Sequence, residues 1–186
     1  MEAVEALTTR QSTGKFEEVS PPDKILDVVL NAAICAPDHG KLRPWKFLVF
    51  RGEARNKLGD IFAMSLEKRI PDTPKAQIDQ ERAKPLRAPL LIGVVAKVHP
   101  ENTKIPVIEQ VLSAGAAAQN IMLAFHAQGF GCIWKTGAAA YDEAVKAALG
   151  LETQDQIVGF LYAGEVNTPP VKKKRPNHAE FVEYWT

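Results

Sequence analysis

The stretch that most limits how this chain can fold runs from Ile105 to Gln128. Ile108, Val111, Leu112, Gly115, Gln119, Met122, Leu123 and His126 recur at three- and four-residue steps, the period of one long helix. Its middle, Ser113-Ala114-Gly115-Ala116-Ala117-Ala118, carries only small side chains, so another backbone can come close. Such a helix belongs in the centre of a helical core or in a subunit interface. Gly129 follows it as the left-handed cap that stops the helix.

The other elements must be arranged round that helix. Residues 2–9 predict a short helix leading into Arg10. Ser20 before Pro21-Pro22-Asp23 marks a helix start, and an apolar face runs from Ile25 to about Cys35, where Pro37 stops it. Lys46 to Phe50 predicts a strand, and Glu53 opens a helix carrying Leu58, Ile61, Phe62 and Leu66 on one face. Residues 70–86 are polar and hold Pro71, Pro74 and Pro85, which predicts a mobile loop with one short helix around Lys75–Lys84. Pro89 to Lys97 is an unbroken apolar run, as expected of a strand buried on both faces. Cys132–Trp134 and Gln156–Gly164 predict two more strands, with a helix over Tyr141–Leu149 between them. The tail, Ala179 to Trp185, alternates apolar and polar residues and predicts a final strand. Lying beyond Pro169-Pro170, that strand is expected to pair with the sheet edge of a partner subunit. Helices interleaved with few strands give one α+β or α/β domain over residues 1–186.

Bulk properties remove several classes of function. The formal net charge is +1, which leaves no global footprint for nucleic acid, so any charge-based binding is local. No apolar run approaches the roughly 20 residues of a membrane helix, and the start of the chain lacks a basic, apolar leader. A cytoplasmic protein is expected. Cys35 and Cys132 are too few for a metal site and read as small buried side chains. The four histidines (His39, His99, His126 and His178) have no metal-ligand spacing. Gly129-Phe130-Gly131 lies between a helix and a strand, the wrong order for a dinucleotide phosphate loop, and no Gly-x-Ser-x-Gly elbow is present. These absences favour chemistry carried by a cofactor.

Three segments share a cationic and aromatic character. Arg10-Gln11-Ser12 offers charge-assisted donors to a phosphate, or simply ends a helix with a favourable charge. Ala36 to Phe47 holds His39, Lys41, Arg43 and Trp45 in a loop stiffened by Pro37 and Pro44. His39 and Arg43 suit a ligand's hydroxyls or phosphate, or form only a polar turn, whereas Trp45 suits the core. In Gly129 to Gly137, Lys135 leaves a strand end where it would polarise a bound ring, or merely meet solvent. Lys172-Lys173-Lys174-Arg175 would hold a phosphate or be a solvated run. Together the three segments suggest flavin mononucleotide (FMN), an anionic planar ligand.

These motifs, in this order, resemble the nitroreductase family of flavin enzymes. The similarity lies in Arg10-Gln11-Ser12 with Phe16, in Ala36-Pro37-Asp38-His39 through Pro44-Trp45-Lys46-Phe47, in Gly129-Phe130-Gly131-Cys132-Ile133-Trp134, and in a strand ending at Gly164. Short length and Arg87-Ala88-Pro89-Leu90 resemble the compact YdjA-type branch. The resemblance implies an α+β fold with a central mixed sheet flanked by helices. It also implies a homodimer whose interface holds two FMN, and hydride transfer from NADH or NADPH to FMN and then to a nitroaromatic or quinone-like acceptor. FMN contacts are implied for Arg10, Gln11, Ser12, Cys35, His39, Trp134, Lys135 and Thr136, with His39 supplied by the other subunit. Nicotinamide nucleotide contacts are implied for Ala124, Phe125, His126, Ala127, Gln128 and Gly129. No side-chain nucleophile, metal, nucleic acid or membrane enters this scheme. Asp38 and Lys41 stand where the family usually has Ser and Asn. The alternative is a flavin-binding or sensing module without turnover.

Overall fold

The computed structural model describes residues 1–167 and 174–186. Ten regular elements follow in chain order: helices α1 (Ala3–Thr9) and α2 (Asp23–Ala33), strand β1 (Trp45–Arg51), helices α3 (Glu53–Arg69) and α4 (Lys75–Arg82), strand β2 (Leu90–Ala96), helix α5 (Val107–Ala127), strand β3 (Gly131–Lys135), helix α6 (Glu143–Ala148) and strand β4 (Gln156–Gly164). The strands form one sheet in the order β1-β2-β4-β3. All three pairings are antiparallel, so the sheet expected to be mixed is not. The parallel component is a single bridge between Ser12 and Cys132, outside the named strands.

Burial explains the order. Every residue of β2 is buried, which is why its apolar run shows no alternation and why it occupies the sheet interior. Alternate strand residues then sort into two cores. Leu90, Ile92, Val94, Cys132, Leu161 and Ala163 pack with α2 and α5, whereas Leu91, Val95, Phe160 and Tyr162 pack with α3 and α6. The sheet is therefore the middle of three layers. Ala114, Ala117, Ala118, Ile121 and Phe125 of α5 are fully buried against it. The small residues let this helix lie close to both sheet and α2, and Asn120 Nδ2 donates to the Ala32 carbonyl at 3.0 Å.

Two expectations change. The tail is no strand in the described residues: His178–Phe181 form a short 3-10 turn followed by extended backbone. Its alternation marks two faces, but no sheet edge of its own chain pairs with it. Phe181, Tyr184 and Trp185 are left exposed. Cys35 is also exposed, whereas Cys132 is buried. The turn after α2 carries Cys35 out of the helix, and its thiol donates to the Asn31 carbonyl.

Candidate functional site

α1 lies against α5 through the buried Ala6, and its last turn delivers Arg10 to the C-terminal end of α5. The chain then runs beside β3, where Thr13 N donates to the Cys132 carbonyl at 3.1 Å. A Cβ at Gly131 would lie 2.3 Å from Val166 Cγ2 and 3.2 Å from Thr13 Cβ. Only glycine lets the three segments meet. Gly129, with φ of +83°, makes the turn from α5 into β3.

A cleft of about 350 Å³ opens at this meeting point, lined among others by Arg10, Gln11, Thr13, His126, Gly129 and Cys132. Its polar groups are not all satisfied. Among the described residues, Arg10 Nη1 and Gln11 Oε1 are buried without a hydrogen-bond partner. A buried unpaired donor on a cation is costly, so an anionic acceptor fits here. His126 accepts or donates one bond, to Thr9 Oγ1 at 2.8 Å. Burial, then the nearby Arg10 charge, holds its pKa below the usual value, which keeps it neutral at neutral pH. Burial pushes the Cys132 thiol up to about 12, so it is no thiolate despite Arg10 beside it. A second cation approaches from the tail: the Arg175 guanidinium donates to the Arg10 carbonyl. Lys174 belongs to the same basic segment, while Lys172 and Lys173 lie outside the described residues.

The structure distributes the remaining candidates unevenly. Ser12 sits exposed at the bridge to Cys132. Cys35 and Ala124 border an open apolar hollow of about 510 Å³ next to the cleft, formed by α1, α2 and α5. Ala127 lines the same hollow, and Gln128 is exposed. Phe125 is fully buried, so its side chain serves the core and not a nucleotide. Trp134 packs into the α5-side core, as Trp45 does, and its indole N–H donates to the Val158 carbonyl at 3.2 Å. Lys135 pairs with Phe160 across the strands and so faces the opposite layer, where it and Thr136 line a separate cleft.

His39 is the outlier. It lies in the turn His39–Lys41, with its Nδ1 2.5 Å from Glu109 Oε2 at the start of α5. Glu109 and His126 mark opposite ends of that helix, roughly 25 Å apart at the usual rise. Asp38 organises this loop by accepting from Leu42 N at 3.1 Å and Arg43 N at 2.8 Å. It holds Lys41 and Arg43 in left-handed backbone, with φ of 56° and 53°. Glu109, Thr9 and Arg175's reach to Arg10 were not singled out by sequence, because each contact spans distant segments.

A model of the nitroreductase family matches residues 7–165. The chain belongs to the nitroreductase family. A protein of Escherichia coli (strain K12), provisionally named NAD(P)H nitroreductase YdjA, is 41% identical over the whole of both chains. A nitroreductase-like family protein from Bacillus cereus superposes with a TM-score of 0.84 at 27% identity, covering 100% of this chain and 96% of that one. The FMN-dependent nitroreductase NfnB from Mycobacterium smegmatis, solved with NADPH, has a TM-score of 0.74 and 18% identity. It covers 99% of this chain and 98% of its own, and shows the shared fold. The nitroreductase fold and an oxidoreductase role follow for this member. No helix among the described residues is long and apolar enough to cross a membrane.

Proposed function

We propose that this nitroreductase works as a two-fold pair that holds FMN between subunits and uses it to oxidise NADH or NADPH. The observation that carries the reading is two buried atoms with no partner among the described residues, Arg10 Nη1 and Gln11 Oε1, on residues that line one cleft. Arg10, Gln11 and Ser12 would hold the phosphate and ribityl end, with Arg175 as a second cation. Bound FMN supplies hydride acceptance from the nicotinamide and reduction of a nitroaromatic or quinone-like acceptor. The protein's part is to bind and orient, so the neutral His126 and Cys132 donate no charge to the cleft.

Pairing is supported by the outer face of the α5 layer. Ile108 and Leu112 on α5, Val28 and Ile34 near α2, and Val4 and Leu7 on α1 are all exposed. Six large apolar side chains on one side favour a second copy as cover. A two-fold axis across α5 sets the two helices antiparallel. The Glu109 end of one copy then lies by the His126 end of the other, which brings His39 to the partner's Arg10 cleft. Cys35 and Ala124 border that seam. Ala127 to Gly129 form its rim, where the nicotinamide nucleotide would enter. Lys135 directs its side chain away from this cleft, so only the backbone of Lys135 and Thr136 is left to meet the ring.

The visible spectrum of the purified protein tests the reading. Flavin absorbance that NADPH bleaches without oxygen is expected. A protein that stays colourless after incubation with FMN overturns it, and a bound flavin that no nicotinamide reduces leaves a flavin-binding module instead.

A further inference from the structure

The cleft on the other side of the sheet has a chemistry of its own. It measures about 380 Å³, within the range of small-molecule sites. Its floor is aromatic: Phe62 and Phe160 meet edge to face with centroids 5.2 Å apart, and Tyr162 lies beside them, all three nearly fully buried. Lys84, Arg87 and Lys135 stand on its walls with a single carboxylate, Glu81. Lys84 is taken up by Glu81 at 2.5 Å. Arg87 and Lys135 have no ion-pair partner among the described residues, and nothing there hydrogen-bonds the Tyr162 hydroxyl. Burial pushes that hydroxyl up to about 12, so it stays a donor at any physiological pH.

We propose that this cleft binds a planar aromatic carboxylate. The ring would pack on Phe62, Phe160 and Tyr162, with edge and face contacts of the usual aromatic kind. The carboxylate would take the planar fork of Arg87, the Lys135 ammonium and the Tyr162 hydroxyl. Glu81 offsets Lys84, so Arg87 and Lys135 are the two charges left to meet an anion. This cleft and the Arg10 cleft share no lining residue, so the proposal meets the flavin reading only at Lys135 and Thr136, whose backbone that reading assigns to the ring.

The test is a titration of the purified full chain with 4-nitrobenzoate, followed through backbone amide NMR signals. Saturable shifts at Gly137 to Ala139 are expected, with binding weakened at least tenfold in Arg87→Gln. Nitrobenzene, which lacks the charge, should bind at least tenfold more weakly. Equal binding of nitrobenzene, an unchanged Arg87→Gln affinity, or shifts confined to the Arg10 cleft would each overturn the proposal. FMN content, read in the same samples, reports the other cleft separately.

Discussion

The imidazole of His39 and the carboxylate of Glu109 meet at 2.5 Å, at the end of α5 remote from Arg10. Within one chain the length of α5 separates His39 from Arg10, and the proposed pairing across α5 would bring His39 of one chain to Arg10 of the other. The prediction is complementation. Arg10→Ala and His39→Ala should each lose FMN, the former by about 1.5–3 kcal/mol, roughly 10- to 150-fold in affinity, as a charged hydrogen bond goes. Chains of the two variants refolded together should recover about a quarter of the wild-type sites, since about half the pairs are mixed and each has one intact site. No recovery on mixing, measured by bound flavin per chain, would place both residues in one subunit's site or His39 outside it.

Gly131 joins the fold to the cleft. Its missing Cβ makes room for Thr13 and Val166, which lie within 3.2 Å and 2.3 Å of where it would be. Gly131→Ala should cost about 1–3 kcal/mol through overpacking. It should also displace the Arg10–Thr13 segment, so FMN affinity falls with stability. A urea midpoint that stays at the wild-type value would show that the edge yields freely.

The acid limb of stability should depend on Asp155. It is fully buried and accepts from Lys97 Nζ at 2.5 Å, from Glu152 N at 3.0 Å and from Val98 N at 3.2 Å. Burial raises its pKa, but these bonds outweigh burial and the net shift is downward. A carboxyl lowered in the folded state stabilises above its unfolded value of about 3.9, and that contribution disappears as pH falls through the folded value. Asp155→Asn should lower the melting temperature at pH 7 and flatten its fall below about pH 4. An unaltered acid slope would assign the acid sensitivity to other groups, Asp142 with Ser65 and Arg69 among them.

The tail offers a separate check on pairing. Phe181 is 75% and Trp185 91% exposed within one chain, an unusual state for two large rings. Removing residues 177–186 should reduce both the dimer fraction in sedimentation and the flavin bound per chain. A truncated protein that remains fully dimeric and yellow would leave the tail without a role in the interface.

Much of this was legible in the order of residues, and for local reasons. Helical and strand periods, proline stops and the Gly129 cap act within a few residues, so α1 to α6 and β1 to β4 all fall where the pattern places them. The fully apolar run at β2 already required cover on both faces, and the flanking helices supply it. Arg10 and Gln11, expected at a ligand from their motif, line the cleft at the C-terminal end of α5.

What the tertiary structure alone decided concerns direction and distance. Alternation says that Lys135 faces opposite to Trp134, but only the packed layers say that Lys135 faces the α3 side. The tail's alternation was equally clear, yet its first part, His178–Phe181, closes into a 3-10 turn. Residue types named His39 and Arg10 as a set. The long rigid rod of α5 keeps them apart, because a helix converts sequence separation into fixed length, and no local pattern records which ends of two such rods come together.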